Sequence, residues 1–94
     1  MKSYRIFETE EFQHALERLG PQVPARIEAK LPSHVYPQLR KEPHFGINIK
    51  KLRGYDPDTW RYRIGDFRVL FGIREVDRVV SILTIENRKD VYKK

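Results

Sequence analysis

The sequence predicts an α+β domain: an N-terminal strand, two helices packed on a mainly antiparallel sheet, and a C-terminal three-strand meander. Three observations carry this reading. Apolar residues recur at helical spacing between residues 12 and 31. They alternate strictly with polar residues over 59–64, and an alternating pattern resumes over 67–73. Glycine, proline and Asx residues punctuate the junctions.

In chain order, residues 3–7 (Ser-Tyr-Arg-Ile-Phe) read as the first strand. Thr9 is a helix N-cap, with Glu10 and Glu11 favourably placed at the positive end of the helix dipole. Phe12, Leu16 and Leu19 form one helical face, and Gly20 ends that helix. A second helix begins near Pro24, with Val23, Ile27 and Leu31 on its apolar side, and Pro32 and Pro37 are expected to kink or break it. Residues 40–49 read as a connection. Trp60, Tyr62 and Ile64 then share one strand face, opposite Thr59, Arg61 and Arg63. Gly65-Asp66 suits a two-residue hairpin turn. Phe67, Val69, Phe71 and Ile73 continue the apolar face, with Arg68, Leu70 and Gly72 on the other. Residues 79–85 are apolar on both faces, as an interior strand would be.

The chain has 94 residues, 39% hydrophobic and 12% aromatic, enough for one core, so residues 1–94 read as one domain. It contains no cysteine, which excludes disulfide scaffolds, thiolate metal sites and Cys nucleophiles. His14, His34 and His44 lack metal-ligand spacing and read as surface or edge residues, so neither metal nor cofactor is expected. No run approaches the ~20 apolar residues of a membrane span. The opening MKSYRIFETEEF has no apolar signal core, and a cytoplasmic protein with no membrane partner is the expectation.

The net charge of +6 is uneven. Residues 1–49 carry seven Lys/Arg and six Asp/Glu; residues 50–94 carry twelve and seven. An anionic partner, nucleic acid first, is expected for the C-terminal half. The hairpin register sharpens this, because a two-residue loop pairs Ile64 with Phe67 and Arg63 with Arg68. Arg61, Arg63 and Arg68 then gather on the face away from the apolar side chains. Like charges directly opposite one another destabilise a sheet, and phosphate binding by bidentate guanidinium groups is one reason to keep them. The other reading is ordinary ion pairing with Asp66, Glu75, Asp77 or Glu86. Arg88 follows the last strand and can join the cluster, with Tyr92 four residues on.

Three segments carry a family resemblance: Asn48-Ile49-Lys50-Lys51-Leu52-Arg53-Gly54-Tyr55, Trp60 through Phe71, and Ile85-Glu86-Asn87-Arg88-Lys89-Asp90-Val91-Tyr92. The sequence resembles the RelE/ParE superfamily of type II toxins, in its RelE-like branch. The resemblance implies a microbial-ribonuclease-like fold and a prokaryotic, cytoplasmic mRNA interferase that cuts mRNA in the ribosomal A site. Its chemistry is attack of a ribose 2′-hydroxyl on the adjacent phosphate, leaving a 2′,3′-cyclic phosphate. It also implies a cognate RelB-like antitoxin, acidic and wrapped around the toxin. Carried over by position, the catalytic set is Arg61, Arg63, Arg68, Arg88 and Tyr92, and the RNA-binding set is Lys50, Lys51, Arg53 and Lys89. Members of the branch carry lysines where Arg61 and Arg63 stand. Arginine, with a pKa above ~12, is a poor base, which leaves the proton acceptor open between a carboxylate such as Glu86 and ribosomal RNA. Two other readings share the fold: a ParE-like inhibitor of DNA gyrase without catalysis, and a decayed toxin that retains antitoxin binding alone.

Overall fold

The computed structural model describes residues 3–91. Its five strands are β1 (Arg5–Glu8), β2 (Ile49–Lys51), β3 (Trp60–Ile64), β4 (Phe67–Arg74) and β5 (Val79–Asn87). They form one sheet in the order β1-β5-β4-β3-β2, with the helices on one face. β1 lies parallel to β5, and the other four form an antiparallel array.

Thr9 joins the first strand to the first helix, α1 (Glu10–Leu19). Its hydroxyl accepts the Phe12 N–H at 3.1 Å and donates to the Ile82 carbonyl at 2.7 Å. One side chain thus starts the helix and fastens it over β5. Gly20 ends the helix at φ +48°, a conformation open to glycine. The buried stripe centres on Phe12 and Ala15, with Leu16 and Leu19 half-buried at its flank, so the helix is rotated slightly from the expected Phe12-Leu16-Leu19 face.

In the second helical arm, of the two outcomes expected at Pro32 and Pro37, a kink or a break, no break occurs, but the regular α-winding is interrupted. α2 (Ala25–Lys30) passes into a π-helical turn (Leu31–Val35) and then α3 (Tyr36–Lys41), with Lys30, Leu31, Val35 and Tyr36 all in right-handed helical conformation. Pro32 lacks an N–H and crowds the carbonyl four residues back. Wider winding absorbs it: the Tyr36 N–H reaches the Leu31 carbonyl, five residues away. Ile27, Leu31, Val35, Tyr36 and Leu39 therefore all point to the core.

The core lies between these helices and Tyr62, Ile64, Phe67, Val69, Phe71, Val80, Ile82 and Ile85. β5 keeps its inward face through a bulge: Leu70 pairs with Thr84 and Phe71 with Ile82, leaving Leu83 unpaired. The extra residue resets the alternation, so Ile82 and Ile85 both face inward. That is why the segment reads as apolar on both faces. β2 falls at the end of the stretch expected to be a connection; it has three residues and no alternation to announce it.

At the far end of the sheet His44 is a half-buried tie. Its Nδ1 lies 2.9 Å from Glu42 and its Nε2 2.8 Å from Glu75, whose carboxylate also accepts the Tyr4 hydroxyl at 2.6 Å. His14 and His34 are exposed, as expected. No described helix is long and apolar enough to cross a membrane.

Candidate active-site cleft

The helices cover one face of the sheet and leave the other open. Register places Lys50 opposite Arg61, Arg63 opposite Arg68, and Arg68 opposite Glu86 across β2, β3, β4 and β5. Residues directly opposite share a face, so these side chains stand on the open one. They border a cleft of about 430 Å³ lined by Lys50, Lys51, Leu52, Arg53, Arg61, Arg63, Arg68 and Arg88. Seven of the eight lining residues are Lys or Arg, and none is acidic. Such a surface attracts a polyanion.

Local contacts hold the guanidinium groups of Arg61, Arg68 and Arg88. Asn48, at φ +76°, turns its carbonyl so that it accepts both the Arg63 main-chain N–H at 2.9 Å and an Arg61 Nη1 at 2.7 Å. Asparagine tolerates this left-handed conformation better than most residues. Arg68 donates through Nε to Glu86 at 2.7 Å, with both side chains largely covered. Glu86 thus offsets the repulsion between Arg63 and Arg68 from the opposite side of β4. An Nε contact leaves the terminal nitrogens of Arg68 for another acceptor. Arg88 reaches the cleft because Asn87 pairs with Phe67, which brings the end of β5 beside the hairpin turn. There the Arg88 N–H donates to the Asp66 carbonyl at 2.7 Å and its side chain lies 3.4 Å from the Gly65 carbonyl.

No family model matches the chain. A curated protein of Methanocaldococcus jannaschii, described as "Putative toxin RelE1", is 40% identical over 47 residues, and the chain spans about half of its length. The matched chain of the archaeal RelE–RelB complex from Pyrococcus horikoshii superposes with a TM-score of 0.71 at 26% identity, over 90% of this chain and 94% of that one. The matched chain of the Mycobacterium tuberculosis RelBE2 toxin–antitoxin complex gives 0.71 at 28% identity, over 92% and 99%. The fold is RelE-like.

In this RelE-like fold the open face unites most of the residues singled out in the sequence. Arg61, Arg63, Arg68, Arg88, Lys50, Lys51 and Arg53 border one cleft. Lys51 has a second engagement: its ammonium lies 3.2 Å from Asp58 and 5.6 Å from the Trp60 ring centre. Lys89 stands outside the lining, on the short helix α4 (Arg88–Val91), where its N–H donates to Asn87 Oδ1 at 2.9 Å. Tyr92 lies outside the described residues. Of the two readings of the arginines, ion pairing is seen at Arg68. Arg68 is ion-paired with Glu86, yet stands in a cation-lined cleft. The sequence marks Asn48 only as part of a motif. A lone Asn ahead of a short strand is the one sequence signal of its left-handed backbone.

Proposed function

We propose that this chain is the toxin of a type II toxin–antitoxin system, and that it cleaves mRNA in the ribosomal A site within the prokaryotic cytoplasm. The observation that carries the reading is the cleft of Arg61, Arg63, Arg68 and Arg88 on the uncovered face of a RelE-like fold. The scissile phosphate sits among these guanidinium groups. The ribose 2′-hydroxyl attacks the adjacent phosphorus, the bond to the 5′ oxygen breaks, and a 2′,3′-cyclic phosphate results, with the 5′ oxygen taking a proton from water to leave as a 5′-hydroxyl. Negative charge grows on the phosphoryl oxygens in the transition state, and fixed bidentate cations stabilise it. Arg68 and Arg63 are the central pair, and Arg88 meets the leaving oxygen at the hairpin end.

The proton of the 2′-hydroxyl needs an acceptor that arginine does not supply at neutral pH. Glu86 takes that role in this reading: it is a carboxylate beside the cleft lining, 2.7 Å from Arg68, and Arg68 links it to the bound phosphate. The partner is an acidic, RelB-like antitoxin. It covers the same cations, so antitoxin and RNA exclude one another.

Primer extension on a translated mRNA after brief induction tests this. Cuts within codons are expected from the intact chain. Arg68→Ala should reduce cutting by about 100-fold or more, the scale of losing one transition-state donor. Glu86→Gln should slow it and flatten its pH dependence, while both variants retain native circular dichroism. Growth arrest without RNA cuts, accompanied by gyrase-dependent DNA damage, would reject RNA cleavage. Undiminished cutting by Arg68→Ala would reject the assigned site.

A further inference from the structure

A second, smaller concavity of about 230 Å³ lies around the edge of β3 from the cleft, lined by Lys30, His34, Val35, Asn48, Tyr62, Arg63, Ile64 and Gly65. Its polar groups come from two directions. Lys30 ends α2 and His34 lies in the π-helical turn, both exposed, while Arg63 projects from β3. The partner strand makes this edge accessible: β2 pairs only with Trp60, Arg61 and Tyr62, and beyond it the Arg63 N–H is met by the Asn48 carbonyl alone. The second helical arm runs beside this bare stretch, held close at the turn, where a Cβ on Gly65 would lie 3.3 Å from Ile27 Cδ1.

The two concavities share Asn48's neighbourhood and, directly, Arg63, which lines both. Arg63 therefore bridges them. Among the described residues no acidic side chain lines either one. A chain of phosphates spaced along a single strand is the ligand that a cation-lined cleft and a neighbouring hollow carrying Lys30, joined by a shared arginine, can hold together.

We propose that Lys30, His34 and Arg63 form a second phosphate subsite, which grips the RNA backbone of a nucleotide flanking the cleavage point as the strand crosses the β3 edge. This deepens the RNA-cleaving reading and rests on it. Lys30 supplies a point charge, and the ring of His34, its Nδ1 held 2.7 Å from the Ser33 hydroxyl, forms part of the wall. Arg63 keeps the two subsites in register, so the length of bound RNA exceeds what the main cleft alone would hold.

The test is fluorescence anisotropy with the full chain and two 2′-O-methyl RNAs that cannot be cut, a dinucleotide and an octanucleotide, across a salt series. Lys30→Ala/His34→Ala should weaken octanucleotide binding several-fold, lower its salt slope by about 0.7 for each phosphate no longer engaged, and leave dinucleotide binding unchanged. His14→Ala/Arg18→Ala, an equivalent removal from α1, should change neither. Arg68→Ala should weaken both RNAs. Wild-type octanucleotide binding by Lys30→Ala/His34→Ala, beside a weakened Arg68→Ala, overturns the subsite and spares the main cleft. An equal loss in the α1 control also overturns it, because the effect is then general charge. No binding of either RNA by the wild-type chain overturns the RNA reading itself, and the subsite with it.

Discussion

Asn48 illustrates how a residue without catalytic chemistry governs the cleft. Its carbonyl holds both the β3 main chain and the Arg61 guanidinium, and it does so only at φ +76°. A residue with a Cβ and no local hydrogen-bonding side chain pays roughly 1–2 kcal/mol to sit there. Asn48→Ala should therefore lose about 1 kcal/mol in chemical denaturation and loosen RNA binding, while Asn48→Gly should keep both close to wild type. Glu42 gives a pH prediction at the same scale. The His44 main-chain N–H, then the His44 ring, hold its carboxyl below the usual glutamate range. A carboxyl lowered on folding stabilises the protein above its unfolded pKa of ~4.3, and that contribution disappears as pH falls through the lower folded value. Glu42→Gln should lower the melting temperature at pH 7, and the difference from wild type should shrink steadily below about pH 4. A constant difference across that range would show that the charge is not responsible.

At the scale of elements, the β5 bulge is the feature that lets one strand serve both faces. Without Leu83, Ile82 and Thr84 would follow directly, still opposite Phe71 and Leu70. Deleting Leu83 should therefore straighten the strand and leave a folded, soluble protein. Deleting Ser81, which pairs with both Phe7 and Gly72, should shift every later side chain to the wrong face and abolish folding. Circular dichroism and soluble yield of the two deletions compare these outcomes. The π-helical turn works the same way: it changes the winding locally, so that Pro32 is accommodated while Leu31, Val35 and Leu39 stay in the core.

Over the whole molecule, charge and shape act together. The chain carries a net +6, and seven cations line one open cleft. Binding of single-stranded RNA should be steeply salt-dependent, at about 0.7 in log–log slope per phosphate engaged, and a slope near 2–3 corresponds to three or four contacts. A salt-insensitive affinity would mean that the cleft is not the binding surface. The same field favours rapid encounter with any acidic partner segment, at a rate that falls with ionic strength.

The sequence by itself determined the order of the first strand, the helices and the C-terminal meander, the hairpin register and the side of the sheet that carries Arg61, Arg63 and Arg68. Those features follow from periodicity and turn chemistry, which are local. The register of Arg63 with Arg68, read from a two-residue turn, is the one observed. Tertiary structure alone decided the rest. The strand order brings Glu86 to Arg68, although they stand eighteen positions apart along the chain. The bulge at Leu83, the rewound helix at Pro32 and the three-residue β2 each answer to packing against distant elements, which no short window contains. The cleft belongs to this second group. Its cations come from the β2 segment, β3, β4 and the start of α4 just after β5, and only the pairing of those strands brings their charges to one place.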